Sequence, residues 1–209
     1  MQEQSMILPK DFQIHLPEDS LNILEDWLGQ LDLVLVLANN RNSKYGDFRY
    51  GVNGLKSRIS VNKNLNKYSF LITLTHEIAH AFVYKFYKSK KVLPHGKEWK
   101  NEFIRLVLEL LKHKVFPDDI SIVMEKHILN PKASSNADKS LFFALQRYDD
   151  IIQDDLTFLE KLSLNQLFST ADGRIFKKGI KRRTRFLCQD IRTKKNYSVN
   201  ALLRVKPLN

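Results

Sequence analysis

Apolar and polar positions divide the chain into a helix-rich first part and a strand-rich last part. Over residues 17–28, Leu21, Leu24 and Leu28 recur at helical spacing with Trp27 beside them. Pro17 suits the first turn, Glu18 and Asp19 the positive helix end, and Gly29 the stop. Leu33-Val34-Leu35-Val36-Leu37 predicts a short buried strand. The stretch from Asn39 to Gly54, punctuated by Gly46, Gly51 and Gly54, predicts a turn and a second strand, and Ile59-Ser60-Val61-Asn62 a third. Together these suggest a small antiparallel sheet. A long helix is expected from Asn66 or Ser69 to near Ser89, with Leu71, Leu74, Ile78, Phe82 and Phe86 on one stripe at about 100° per residue. A second helix, from about Lys97 to Lys114, turns Trp99, Phe103, Leu106, Val107 and Leu110 to one face. Pro117 stops it, Asp118 caps a third helix through Lys126, and residues 138–148 read as a further helix.

Asn130-Pro131-Lys132-Ala133-Ser134-Ser135-Asn136 is polar and reads as a domain boundary. The expected division is a first domain over 1–130, a connector over 131–156 and a β-module over 157–209. In the module the spacing predicts strands near 157–162, 166–170, 174–178, 182–190, 196–200 and 202–206, with Asp172-Gly173 as a hairpin turn. Along 182–190, Thr184, Phe186 and Cys188 share one face, while Arg183, Arg185 and Leu187 share the other.

Charge changes this picture. The net charge is +11, and residues 173–209 alone hold 12 Lys/Arg against one acid, Asp190. The rest of the chain is balanced, so the excess sits in the β-module. Such asymmetry suggests a polyanionic partner. Lys177, Lys178, Lys181, Arg182, Arg183 and Arg185 are the candidate phosphate contacts, with DNA the expected partner. Phe176 and Tyr197 read as core.

No apolar run reaches the roughly 18 residues of a membrane span. The polar Met1–Met6 segment lacks a signal core, and the lone Cys188 offers no disulfide framework. The expectation is a cytoplasmic protein with no membrane partner.

The candidate chemistry lies in the long helix, at His76-Glu77-Ile78-Ala79-His80. Histidines four apart stand one above the other on a helix and can share one Zn²⁺. Glu77, one step from His76, points beside such an ion, where a general base for an attacking water would sit. Both histidines fall opposite the apolar stripe. A catalytic zinc takes three protein ligands, and His95 in Pro94-His95-Gly96 is the best third. Glu98 and His113 are its rivals. His113 and His127 read as surface or helix-end residues, and His15 has no partner pattern. Tyr84 and Tyr87 lie near the histidine side with nothing tying them to the chemistry.

His76-Glu77-Ile78-Ala79-His80-Ala81, followed by His95-Gly96 opening a Trp-containing helix, resembles the SprT-like (Spartan-related) zinc metalloproteases. Upstream, Asn40-Arg41-Asn42-Ser43-Lys44-Tyr45-Gly46 and Ile59–Asn62 look like the strand region preceding that family's active-site helix. The resemblance covers roughly residues 15–115. It implies zinc held by His76, His80 and His95, Glu77 as the catalytic residue, and hydrolysis of protein substrates bound or crosslinked to DNA. Many members carry a C-terminal four-cysteine zinc ribbon, which a chain with one cysteine excludes. The expected fold class is α+β: a zincin-like metalloprotease domain of helices and a small antiparallel sheet, then a small basic all-β module.

Overall fold

A computed structural model of the chain describes residues 8–41, 44–87, 92–132, 138–149 and 155–208. It divides into two compact units, Met1–Asp150 and Ile151–Asn209. The first unit runs past the boundary expected near residue 130. Residues 133–137 of that expected connector lie outside the described residues.

The first unit opens with α1 (Lys10–Gln13), a single 3-10 turn (Glu18–Ser20) and α2 (Leu21–Gly29). Three strands follow: β1 (Leu33–Ala38), β2 (Gly46–Arg49) and β3 (Ser57–Asn62). Their order is β1-β3-β2, with β1 parallel to β3 and β2 antiparallel to it. The expected antiparallel sheet is therefore mixed. β2 and β3 form a hairpin closed by the 50–56 turn, and that hairpin lays β3, not β2, against β1. β3 is thus central and β2 is an edge.

Next come α3 (Lys67–Tyr87), α4 (Lys97–Lys112), α5 (Asp118–Ile128) and α6 (Lys139–Gln146). Asn66 caps α3, its Oδ1 accepting from the N–H groups of Tyr68 and Ser69, which satisfies two of the helix's free donors. Its Nδ2 donates to the Leu145 carbonyl and to Asp149, so the start of α3 is tied to the end of α6. The expected apolar stripe is buried at Leu71, Leu74, Ile78 and Phe82, but Phe86 is 59 % exposed. Burial also extends beyond the stripe, to Phe70, Ile72, Ala79, Ala81 and Val83. α3 packs on β2 and β3 as well as on α4, so it is a central helix and not a half-exposed amphipathic one.

The second unit is an antiparallel sheet. It contains β4 (Thr157–Phe158), β5 (Leu167–Ser169), β6 (Ile175–Lys177), β7 (Lys181–Arg182), β8 (Arg185–Asp190), β9 (Asn196–Asn200) and β10 (Arg204–Leu208). The path runs β4-β10-β5-β6-β8-β7, and β9 also pairs with β8. Gly173, at φ 79°, closes the β5–β6 hairpin, with its N–H bonded to the Thr170 carbonyl. Leu159, Leu162, Phe168, Phe176, Phe186, Cys188, Ala201 and Val205 form this unit's own core.

The strand expected over 182–190 is broken in two. Arg183 adopts φ 54°, and Arg182 pairs with Arg185 across a two-residue turn. Arg183 is thus at a hairpin tip, not on the face of Arg185. Among the described residues, no helix is long and apolar enough to cross a membrane.

Candidate metal centre and its carboxylate

α3 and the turn before α4 bring three imidazoles to one point. The Nε2 atoms of His76 and His95 lie 3.0 Å apart, those of His80 and His76 3.2 Å, and those of His80 and His95 3.1 Å. Each neutral imidazole has one N–H, so three nitrogens in such a triangle cannot all pair with one another in any choice of tautomers. One cation satisfies all three lone pairs at once. A tetrahedral zinc with nitrogens at about 2.0–2.1 Å sets them about 3.3 Å apart, close to what is seen. These three residues form the one group able to hold a metal ion among the described residues. Neither Glu98 nor His113 belongs to it. His113 stands at the C-terminal end of α4.

The third imidazole is aimed by backbone conformation. Leu93 to Gly96 is a turn closed by the Gly96 N–H on the Leu93 carbonyl, at 2.9 Å. Pro94 takes its second position and His95, at φ 58°, its third, the pattern of a type II turn. Glycine or asparagine is the usual third residue. A histidine there carries steric cost, which surrounding structure must hold in place. Gly96 is needed because a Cβ on it would stand 2.9 Å from the Leu93 carbonyl oxygen.

Trp99, one turn into α4, backs the imidazoles. Its ring centroid is 4.6 Å from His76, 4.7 Å from His95 and 5.5 Å from His80. Its indole N–H donates to the His76 carbonyl at 3.3 Å. The sequence shows Trp99 as an apolar position of α4 and as part of the family-like motif, but its contact with the imidazoles was not visible there. Burial, then the neighbouring His80, holds His76 down to about 2. Burial, then His95, holds His80 down to about 4, and burial also lowers His95. All three rings therefore stay neutral, as metal ligation requires.

Glu77, next to His76 on α3, lies against β2 at Gly46 and is 7 % exposed. Burial, reinforced by the Asp47 carboxylate, raises it to about 7, against a hydrogen bond from the Phe48 backbone that lowers it. Asp47 is itself paired with Lys44 and Arg49. Gly46 makes the approach feasible: a Cβ there would fall 2.5 Å from Glu77 Oε1 and 2.7 Å from Thr73 Cγ2. Arg41 braces the neighbouring central strand β3 through Asn62 Oδ1 at 2.7 Å and Ser60 Oγ at 3.1 Å. Asn42 and Ser43 of that expected strand region lie outside the described residues.

His127 is not a surface residue. It is 4 % exposed, and its Nδ1 lies 3.0 Å from Asp138 Oδ2. His15 stacks on Phe70 with centroids 5.1 Å apart.

Residues 30–111 match the model of the SprT-like family. The matched stretch holds His76, Glu77, His80 and His95 together with β2, and it carries an association with metallopeptidase-like function. No curated protein and no solved structure matches the chain.

Of the six basic residues expected at a nucleic acid, five are exposed on the second unit: Lys177, Lys181, Arg182, Arg183 and Arg185. Lys178 is corrected. It is 4 % exposed, its Nζ donates to the carbonyls of Glu160 and Leu162, and it lies 4.1 Å from the centre of the Phe186 ring. Strand alternation turns it inward beside Phe176, where it serves the fold and not a phosphate. Arg185 keeps its exposed position while donating to the Ser198 carbonyl.

Proposed function

We propose that the chain is a zinc-dependent metalloendopeptidase acting on protein substrates, and that its second unit brings it to DNA. The observation that carries the peptidase reading is the triangle of Nε2 atoms with a buried carboxylate beside it. Zinc held by His76, His80 and His95 would supply Lewis acidity toward a scissile carbonyl and an attacking water. Glu77, poised near neutrality, accepts the proton of that water and returns it to the leaving amine. Asp47 and burial keep Glu77 basic enough for this at neutral pH, and the Phe48 N–H fixes its carboxylate. Trp99 and the strained turn at His95 hold the rings in place.

The DNA side rests on charge. The excess of +11 in residues 173–209 lies in a unit with five exposed candidate basic residues around β6, β7 and the start of β8. A polyanion is the partner that such a surface attracts.

The deciding experiment measures metal content alongside cleavage of a DNA-bound protein. The expected result is one zinc per chain, with cleavage abolished in Glu77→Gln at normal zinc content. Undiminished cleavage by that variant removes Glu77 from the mechanism. Cleavage indifferent to DNA leaves a zinc peptidase with an acidic protein partner.

A further inference from the structure

α3 carries a second feature on the side of Glu77 and His80. Tyr84 lies four residues after His80, one turn along the same face. Its ring stacks on Tyr50 with centroids 5.5 Å apart and planes 20° apart, and Phe48 approaches the same ring at 6.0 Å. Neither tyrosine is buried: Tyr50 is 61 % exposed and Tyr84 42 %.

β2 and α3 run in step. Gly46 faces Glu77, while Phe48 and Tyr50 face Tyr84. The four residues from Gly46 to Tyr50 span about 13 Å of strand. The seven from Glu77 to Tyr84 span about 10 Å of helix. The tyrosine pair therefore stands at the far end of the β2–α3 seam that holds Glu77. It lies about 6 Å from His80 along α3, the length of two extended residues.

The seam is bounded by the outer edge of β2, which has no strand partner on that side among the described residues, although Glu77 takes its Phe48 N–H. The Asn62 N–H donates to the Tyr45 carbonyl, so residues 45, 47 and 49 turn their backbone to β3. Residues 46 and 48 turn theirs outward, and the Phe48 N–H meets Glu77. An extended peptide on this edge would lay alternate side chains toward the exposed tyrosine pair. The aromatic end is tied to the 50–56 turn, where the Gly51 N–H donates to Ser57 Oγ and a Cβ on Gly51 would fall 1.9 Å from the Leu55 carbonyl oxygen.

We propose that Tyr50 and Tyr84 form a side-chain subsite that selects an aromatic or large aliphatic residue two or three positions from the scissile bond. This inference rests on the peptidase reading. Two stacked rings offer an apolar surface at the cleft. The acid of β2, Asp47, is already paired with Lys44 and Arg49, so a basic side chain finds no free carboxylate in that strand.

The test is digestion of an unbiased peptide library by the zinc-loaded full chain, with every cut sequenced. Wild type is expected to show roughly two- to tenfold enrichment of Phe, Tyr, Trp, Leu or Met at one such position, the range of one good aromatic contact. Tyr50→Ala and Tyr84→Ala should flatten that enrichment while cutting continues and zinc content holds. Tyr50→Phe and Tyr84→Phe should keep it. An enrichment unchanged in both alanine variants, or none in wild type, overturns the subsite and leaves the peptidase intact. A wild type that cuts no peptide and no protein overturns both.

Discussion

The two units carry their polar residues in opposite ways. In the first, histidines and a carboxylate are drawn inside, aimed by a strained turn, a tryptophan and a glycine. In the second, arginines and lysines stand outside, on strand ends and a hairpin tip. A buried polar group is costly unless something satisfies it, so a half-buried cluster that nothing in the chain fully pairs points to a specific ligand. An exposed charge costs little, so a basic surface specifies only the sign of its partner. Lys178 shows the contrast within one strand region: it has the residue type of the surface and the environment of the interior.

The largest expected effect that sharpens this contrast is on metal. His76→Ala, His80→Ala or His95→Ala should each lower zinc affinity at least 10²-fold, with content read by mass spectrometry of the dialysed protein, while Glu98→Ala should not. Zinc loss in Glu98→Ala with full retention in His95→Ala would break the ligand assignment. Next, general base removal in Glu77→Gln should slow cleavage about 10²–10⁴-fold.

On the other side of the comparison, replacing Arg182, Arg183 and Arg185 with alanine should flatten the slope of log K against log salt for duplex DNA by roughly 2–3 units. Metal content should not change. An unaltered slope would detach the second unit from nucleic acid. Within that unit, Lys178→Ala should cost about 2–4 kcal/mol by stranding two carbonyls that a charged donor serves. Lys177→Ala should stay within about 0.5 kcal/mol. Equal costs in chemical denaturation would erase the distinction between inside and outside.

The smallest effect is on the pH dependence of the metal-free protein. Glu77 is raised from 4.5 to about 7, so the folded chain binds more protons than the unfolded one in that window. Its contribution is present below pH 4.5 and is lost as pH rises to about 7. His80, lowered from 6.5 to about 4, has the opposite sign: its contribution is present above pH 6.5 and is lost as pH falls. Glu77→Gln should therefore raise Tm relative to wild type by several degrees more at pH 8 than at pH 4. A difference independent of pH would contradict the raised carboxyl.

Much of the first unit was legible because helical periodicity survives burial. The spacing of His76 and His80, the helix start at Asn66 and the strand run Leu33–Leu37 are local signals, but only Leu33 of that run is buried, because β1 is an edge, and α5 starts after Pro117 with no capping bond from Asp118. The parallel pairing of β1 with β3 was not legible, because strand order depends on contacts across the sheet and alternation is the same for either neighbour. Phe86 was misplaced because periodicity assigns a side of the helix without saying where the cover ends. In the second unit, the break at Arg183 escaped because arginine is not a turn residue, although it adopts φ 54° there. Of the candidate site, His76 and His80 were readable from helical spacing, and the structure brings His95 to them as a group that could hold a metal ion. The supports were not: Trp99 reads as an apolar helix position and Gly46 as a loop glycine.

Gly46 gives this fold a setting controlled by volume alone. Position 46 has no charge to lose, no hydrogen-bonding side chain and no ligand role. Yet a single methyl group there would occupy space that the Glu77 carboxyl already fills. The position of the Glu77 carboxyl and the steric room at residue 46 are thus coupled across the boundary between strand and helix. On the peptidase reading, mutational drift at this site would silence the carboxylate while leaving the histidines, charge and core composition untouched, so an intact set of histidines in a related chain would not by itself guarantee a working centre.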